Sequence, residues 1–120
     1  MDEQEVRDSI LLSIKKKIGG LDEDNEYFNT DLILNINASF MVLAQVGVGP
    51  AIPYKIDGPE NTWDEFECHN LEGVKEYLFI KAKLTFDPPQ NGSAMNALEK
   101  RADELEWRLQ IFSEELNNGE

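Results

Sequence analysis

The sequence predicts an all-α protein: a small bundle of about four helices, with a long Gly/Pro-rich loop between the second and third. Three observations carry that expectation. Apolar residues recur at spacings of three and four along most of the chain. The run "FDPPQNG" at 86–92 stops one helical pattern abruptly and precedes another. The only stretch dense in proline and glycine, "GVGPAIPYKIDGPENT", sits between helical patterns.

The first helix is expected over roughly Asp2 to Ile18. Val6, Ile10, Ile14 and Ile18 are four apart, with Leu11 beside them, and form one stripe. Acids occupy its first turns and Lys15, Lys16 and Lys17 its last, which complements the helix dipole and places a basic helix end in water. Gly19 and Gly20 end it, and "LDEDNEYF" follows as a polar loop.

The second helix is expected from Thr30 to Val46, capped by Asn29 or Thr30. Leu32, Ile33, Ile36, Phe40, Leu43 and Ala44 fall on about a third of its circumference. Its other side carries Leu34, Met41 and Val42 among small polar residues, and between Leu32 and Ile56 the only charge is Lys55. A helix without a charged face is usually covered on both sides. In the loop after it, Ala51 to Ile56 suits a short extended piece. Thr62 and Glu65 in "TWDEF" have capping-box spacing, so a short helix is expected there.

The third long helix is expected from Leu71 to Phe86. Val74, Tyr77, Leu78, Ile80, Ala82 and Leu84 leave only a narrow polar strip of Glu72, Glu76 and Lys83, as in the central helix of a bundle. The last is expected from about Ser93 to Leu116. Its seam is Leu98, Ala102, Leu105, Leu109, Phe112 and Leu116, with Trp107 and Ile111 on the opposite side and a fraying "NNGE" beyond.

Composition excludes several classes. The 120 residues are 41% hydrophobic and 29% charged, enough for one modest core. With 24 acidic against 11 basic residues the formal charge is −13, which argues against binding a phosphate backbone. Cys68 is the sole cysteine, so no internal disulfide forms, and the acidic N-terminus "MDEQEVRDS" is unlike a secretory signal. The least charged run is broken by Asn35, Asn37, Ser39 and Gln45, so a soluble chain with no membrane contact is expected.

No catalytic, cofactor or metal signature emerges. Adjacent Cys68 and His69 are poor joint ligands of one ion, and no oxyanion motif accompanies the thiol. "LDEDNEYFNTD" lacks the central glycine and terminal glutamate of a calcium loop, and "GVGP" is not a dinucleotide fingerprint. What stands out is local. Residues 57 to 76 hold seven acids (Asp57, Glu60, Asp64, Glu65, Glu67, Glu72, Glu76) against one lysine. Leu34, Met41 and Val42 on one helix, and Trp107 and Ile111 on another, exceed what a small core can cover and mark candidate interfaces.

Four landmarks in order, "NASFMVLAQVGVGP", "TWDEF", "VKEYLFIKAKLTFDPPQNG" and "ELEWRL", resemble the small helical head–tail connector proteins (head-completion or adaptor proteins) of long-tailed bacteriophages and prophages. The resemblance spans about residues 5 to 112. It implies a single all-α connector domain over residues 1–120 and a structural virion protein, without enzymatic activity or cofactor. Family members form a homo-oligomeric ring under the portal, extend the DNA channel and dock the next neck, stopper or tail protein. The location implied is the virion neck, reached from the host cytoplasm during assembly. DNA would pass through the lumen without sequence-specific binding, and the seven acids are candidates to line it. The alternative from composition alone is a small acidic DNA mimic that inhibits or regulates a DNA-binding protein.

Overall fold

A computed structural model describes residues 3–19 and 26–118. The described residues form α1 (Glu3–Asp8), α2 (Ile10–Ile18), α3 (Asn29–Gln45), a 3-10 turn at Trp63–Glu65, α4 (Leu71–Phe86) and α5 (Gly92–Asn118). This is the expected all-α bundle. The polar "LDEDNEYF" loop and the calcium-like acids Asp22 to Asp24 lie largely outside the described residues, as do the last two residues of "NNGE".

α4 is the centre, packing against α2, α3 and α5. Its boundaries are those expected. Asp87 leaves helical geometry (φ −151°, ψ 59°), as the residue before Pro88 must, and Asn91 then starts α5. The Asn91 side chain accepts from the backbone N–H groups of Ser93 (2.8 Å) and Ala94 (3.1 Å), satisfying two donors of the first turn. The "DPPQN" corner thus folds α5 back antiparallel to α4. Tyr77, almost wholly buried, donates through its hydroxyl to Glu106 at 2.8 Å, and Arg101 meets Glu76 at 3.0 Å.

The core gathers Ile10, Leu11, Ile14 and Ile18 from α2, Leu32, Ile36, Phe40 and Leu43 from α3, and Val74, Tyr77, Leu78 and Ile80 from α4. α5 adds Ala102, Leu105 and Leu109. In α3, Ile33 and Ala44 are only partly buried, so its inward stripe is narrower than the sequence indicates.

Besides the cap of α3, which falls on Phe28 without a side-chain bond and not on Asn29 or Thr30, further expectations need correction. The first helix is not continuous, because Ser9 turns to extended geometry (φ −73°, ψ 130°) and separates α1 from α2. The cause is the remote loop. The Ile10 N–H, which a continuous helix would direct to Val6, donates instead to the Asn61 carbonyl at 3.1 Å. The Ser9 hydroxyl donates to the Pro59 carbonyl at 2.6 Å and accepts from the Leu12 N–H at 3.2 Å, capping α2.

Secondly, Lys15 does not face water with Lys16 and Lys17. It is fully buried, its stem inside the bundle and its Nζ 2.8 Å from Asn29 Oδ1. Thirdly, no capping box forms at "TWDEF". The Thr62 hydroxyl bonds Asp64 instead, and the segment is a single 3-10 turn that buries Trp63. Ala51 to Ile56 is irregular, and no strand occurs among the described residues.

The 47–62 loop has no ladder to satisfy its backbone, so side chains do it. Asn37 of α3 donates to the Ile56 carbonyl at 2.9 Å and accepts from the Ile56 N–H at 2.8 Å, imitating a strand neighbour. Asn61 Oδ1 accepts from Asp57 N–H at 2.8 Å and Gly58 N–H at 3.3 Å. Phe40, Tyr54 and Phe66 stack edge-on or tilted with centroids 4.8 to 5.7 Å apart, pinning the loop to α3.

Asn35, two residues away, makes one exposed bond to Thr85 and buries an unpaired Oδ1. Asn37→Ala should therefore destabilise the fold by about 2 kcal/mol, since it orphans two backbone groups of buried Ile56. Asn35→Ala should change stability by less than about 0.5 kcal/mol. Urea unfolding of both variants measures the contrast.

Candidate interface surfaces

Two helices present apolar side chains that the bundle leaves uncovered. On α3, Leu34 is 63% and Met41 49% exposed, seven residues apart and so on one face, with Val42 half-buried beside them. On α5, Trp107 is 58% exposed and Ile111 half-buried one turn on. Both pairs stand where the sequence puts a second apolar side. α3 is fixed by its opposite stripe in the core, and α5 by Ala102, Leu105 and Leu109, so neither face can turn inward.

A third surface was not anticipated. The α5 seam continues past the bundle, leaving Phe112 39% and Leu116 40% exposed where core residues were expected. The reason is length. The antiparallel register sets Gly73 against Leu109 and Tyr77 against Glu106, so Leu71 comes level with about residue 111 and α4 ends there. Phe112 and Leu116 then border an open cleft of about 960 Å³, closed on the other side by Val48, Pro50 and Phe66. A signal was present, since the seam has six members and α4 is eleven residues shorter than α5 (16 against 27).

Glycines shape the cleft wall. Gly49 has φ 89°, and a Cβ there would lie 2.6 Å from the Phe66 ring, so the loop can cross the aromatic cluster only with glycine at that position. Gly47, with φ 86°, offers its carbonyl to the Ser113 hydroxyl at 2.5 Å, tying α5 to the end of α3.

The seven acids do not form one spatial cluster. Asp57, Glu60, Asp64, Glu65 and Glu67 are exposed along the loop and turn. Asp64 and Glu67 border the large cleft, whereas Glu72 borders a separate small one beside Trp63 and Phe79. Glu72 lies 3.8 Å from Lys75, and Glu76 is paired with Arg101. Glu65 accepts from the Tyr54 hydroxyl at 2.7 Å and from Asn61 Nδ2 at 3.3 Å. These bonds, Tyr54 first, hold its carboxyl below the ordinary carboxylate range, while burial and the same contact push the Tyr54 phenol up.

Burial also pushes the Cys68 thiol up, which disfavours the reactive thiolate. Among the described residues no group of His, Cys, Asp and Glu could hold a metal ion, and no helix is long and apolar enough to cross a membrane.

A family model described as phage connector protein matches residues 10–116. The chain belongs to the phage connector protein family. The match covers α2 through almost all of α5, so every candidate interface residue falls inside it. No curated protein and no solved structure matches the chain. As a phage connector it is a structural protein of virion assembly, with virion components such as portal or tail proteins as partners. The family is a structural one, not known as enzymatic.

The Glu65 bonds favour its ionised form, so their contribution is full above the ordinary glutamate range and is lost as pH falls through the lowered native value. In a carboxyl NMR titration Glu65 should titrate below the ordinary glutamate range. Tyr54→Phe should move that midpoint upward; an unmoved midpoint would contradict the assignment.

Proposed function

We propose that the chain is a head–tail connector whose copies close into a ring beneath the portal, extend the DNA channel and receive the next neck, stopper or tail protein. Membership of the phage connector family carries the coarse reading. The finer one rests on one observation: two apolar faces on different helices, Leu34–Met41 and Trp107–Ile111, are held outward by core stripes on the same helices. A closed ring built head-to-tail needs two unlike faces per subunit, and these supply them. Val42, half-buried next to Met41, completes the first face. On this reading residues 1–120 act as one connector domain that assembles in the host cytoplasm and ends in the virion neck.

In such a ring we place the acidic loop and turn toward the lumen. Of the seven acids, Asp57, Glu60 and Glu65 border neither cleft and have no ion pair among the described residues. These would then face the packaged genome, where like charge lets DNA slide without adhering, while Asp64 and Glu67 stay with the large cleft. Glu72 and Glu76 are already matched by Lys75 and Arg101, so the loop residues would supply most of that field. The separation of the acids between two clefts disfavours a DNA mimic, which needs carboxylates in phosphate-like rows on one face.

Trp107→Ala tests the faces. It should weaken ring assembly or portal docking by ~2 kcal/mol or more, as expected for a central interface tryptophan. The melting temperature should hardly change, because Trp107 is 58% exposed in the subunit. Mass photometry with portal and a thermal melt give both readings. Unchanged assembly together with a large fall in melting temperature would make Trp107 a core residue and sink the assignment.

A further inference from the structure

We infer that the cleft beneath the C-terminal end of α5 is a docking groove for a basic amphipathic helix of another protein. The inference rests on the connector reading above, and names the chemistry of one partner.

The seam supplies the first argument. Along its first half, α5 is covered by α4 through Ala102, Leu105 and Leu109. Phe112 and Leu116 continue the same heptad-like spacing with nothing from α4 opposite them. An incoming helix lying against these residues would prolong the packing that α4 provides. Opposite them Phe66, Val48 and Pro50 offer an apolar wall, and the roughly 960 Å³ of open space accommodates large apolar side chains.

Charge supplies the second. The four ion pairs among the described residues, Glu72 with Lys75, Glu76 with Arg101, Glu104 with Arg108 and Asp87 with Lys83, all lie away from the groove rim. At the groove, Glu67 and Glu115 have no ion pair among the described residues, and Asp64 has only the Thr62 hydroxyl. His69 is the sole basic side chain on the rim. An apolar floor inside a rim of unmatched carboxylates is complementary to leucine-like anchors flanked by Lys or Arg. A second copy is a poor occupant. Each chain carries a formal charge of −13, and the apolar stripes of α2 and α4, which bear three lysines each, are already buried in its own core.

The test uses two synthetic helical peptides of the same length, one built from leucine and lysine, the other from leucine and glutamate. In a ¹⁵N NMR titration of the full chain, the lysine peptide should shift resonances at Val48, Glu67–Asn70 and Phe112–Leu116, and the glutamate peptide should not bind. Phe112→Ser should weaken binding about tenfold, the loss of one anchor. Glu67→Gln with Glu115→Gln should weaken it several-fold and flatten its salt dependence. Trp107→Ala should leave it unchanged.

Shifts scattered over the acidic surface, or equal affinity in Phe112→Ser, would overturn the inference. A benzophenone coupled to Cys68, which lines the groove, reads the occupant in assembled particles. Crosslinks confined to a second copy would overturn the inference and leave the ring standing. Peptide binding in the groove by a chain that never assembles with portal would fail the ring reading and leave this one intact.

Discussion

The fold depends on how the 47–62 loop has its backbone satisfied. That loop crosses the bundle without a strand or helix of its own, so each buried peptide group needs a side-chain partner or a remote carbonyl. Asn37 clamps Ile56 from below, Asn61 folds the Asp57–Gly58 turn onto itself, and at the break between α1 and α2 the Ser9 hydroxyl donates to the Pro59 carbonyl and the Ile10 N–H to the Asn61 carbonyl. Trp63, brought in by the same segment, donates to Ser13 at 3.0 Å and roofs α2. Without these bonds the loop would leave the face of α2 and α3 uncovered. The 3-10 turn and the groove wall are positioned through them.

The clamp also explains how a small bundle keeps apolar surface outside. α3 is held by its core stripe on one side and by the loop through Asn37 on another, which leaves Leu34 and Met41 no way to rotate inward. α5 is fixed by Tyr77–Glu106 and Arg101–Glu76 to α4 and by Ser113–Gly47 to the end of α3. Trp107 therefore stands rigidly outward. A rigid, pre-set apolar face is what an assembling subunit needs, because little conformational freedom is lost on contact.

Much of this was legible in the sequence where the determining forces are local. α4 reads correctly to both ends because its apolar pattern is dense and Pro88 fixes its stop. The outward faces of α3 and α5 are legible for a similar reason, as apolar residues opposite a complete core stripe. The break at Ser9 is not legible. Val6, Ile10, Ile14 and Ile18 keep perfect helical spacing across it, and the groups that cause it lie some fifty residues away. The burial of Lys15 is not legible either, because helical spacing does not show that its Nζ meets Asn29. Phe112 and Leu116 continue a real seam, but periodicity cannot show where the partner helix ends. The seven acids look like one cluster in sequence, yet the turn at Trp63–Glu65 and the start of α4 send them to different surfaces.

If the two outward apolar faces are subunit contacts in a ring on the portal, electron cryomicroscopy of this chain mixed with its portal should show them closed. The expected result is a closed ring in which Leu34 and Met41 of one copy and Trp107 and Ile111 of its neighbours are buried at subunit or portal contacts. A ring that leaves both faces in solvent, or portal that recruits no ring, would contradict it.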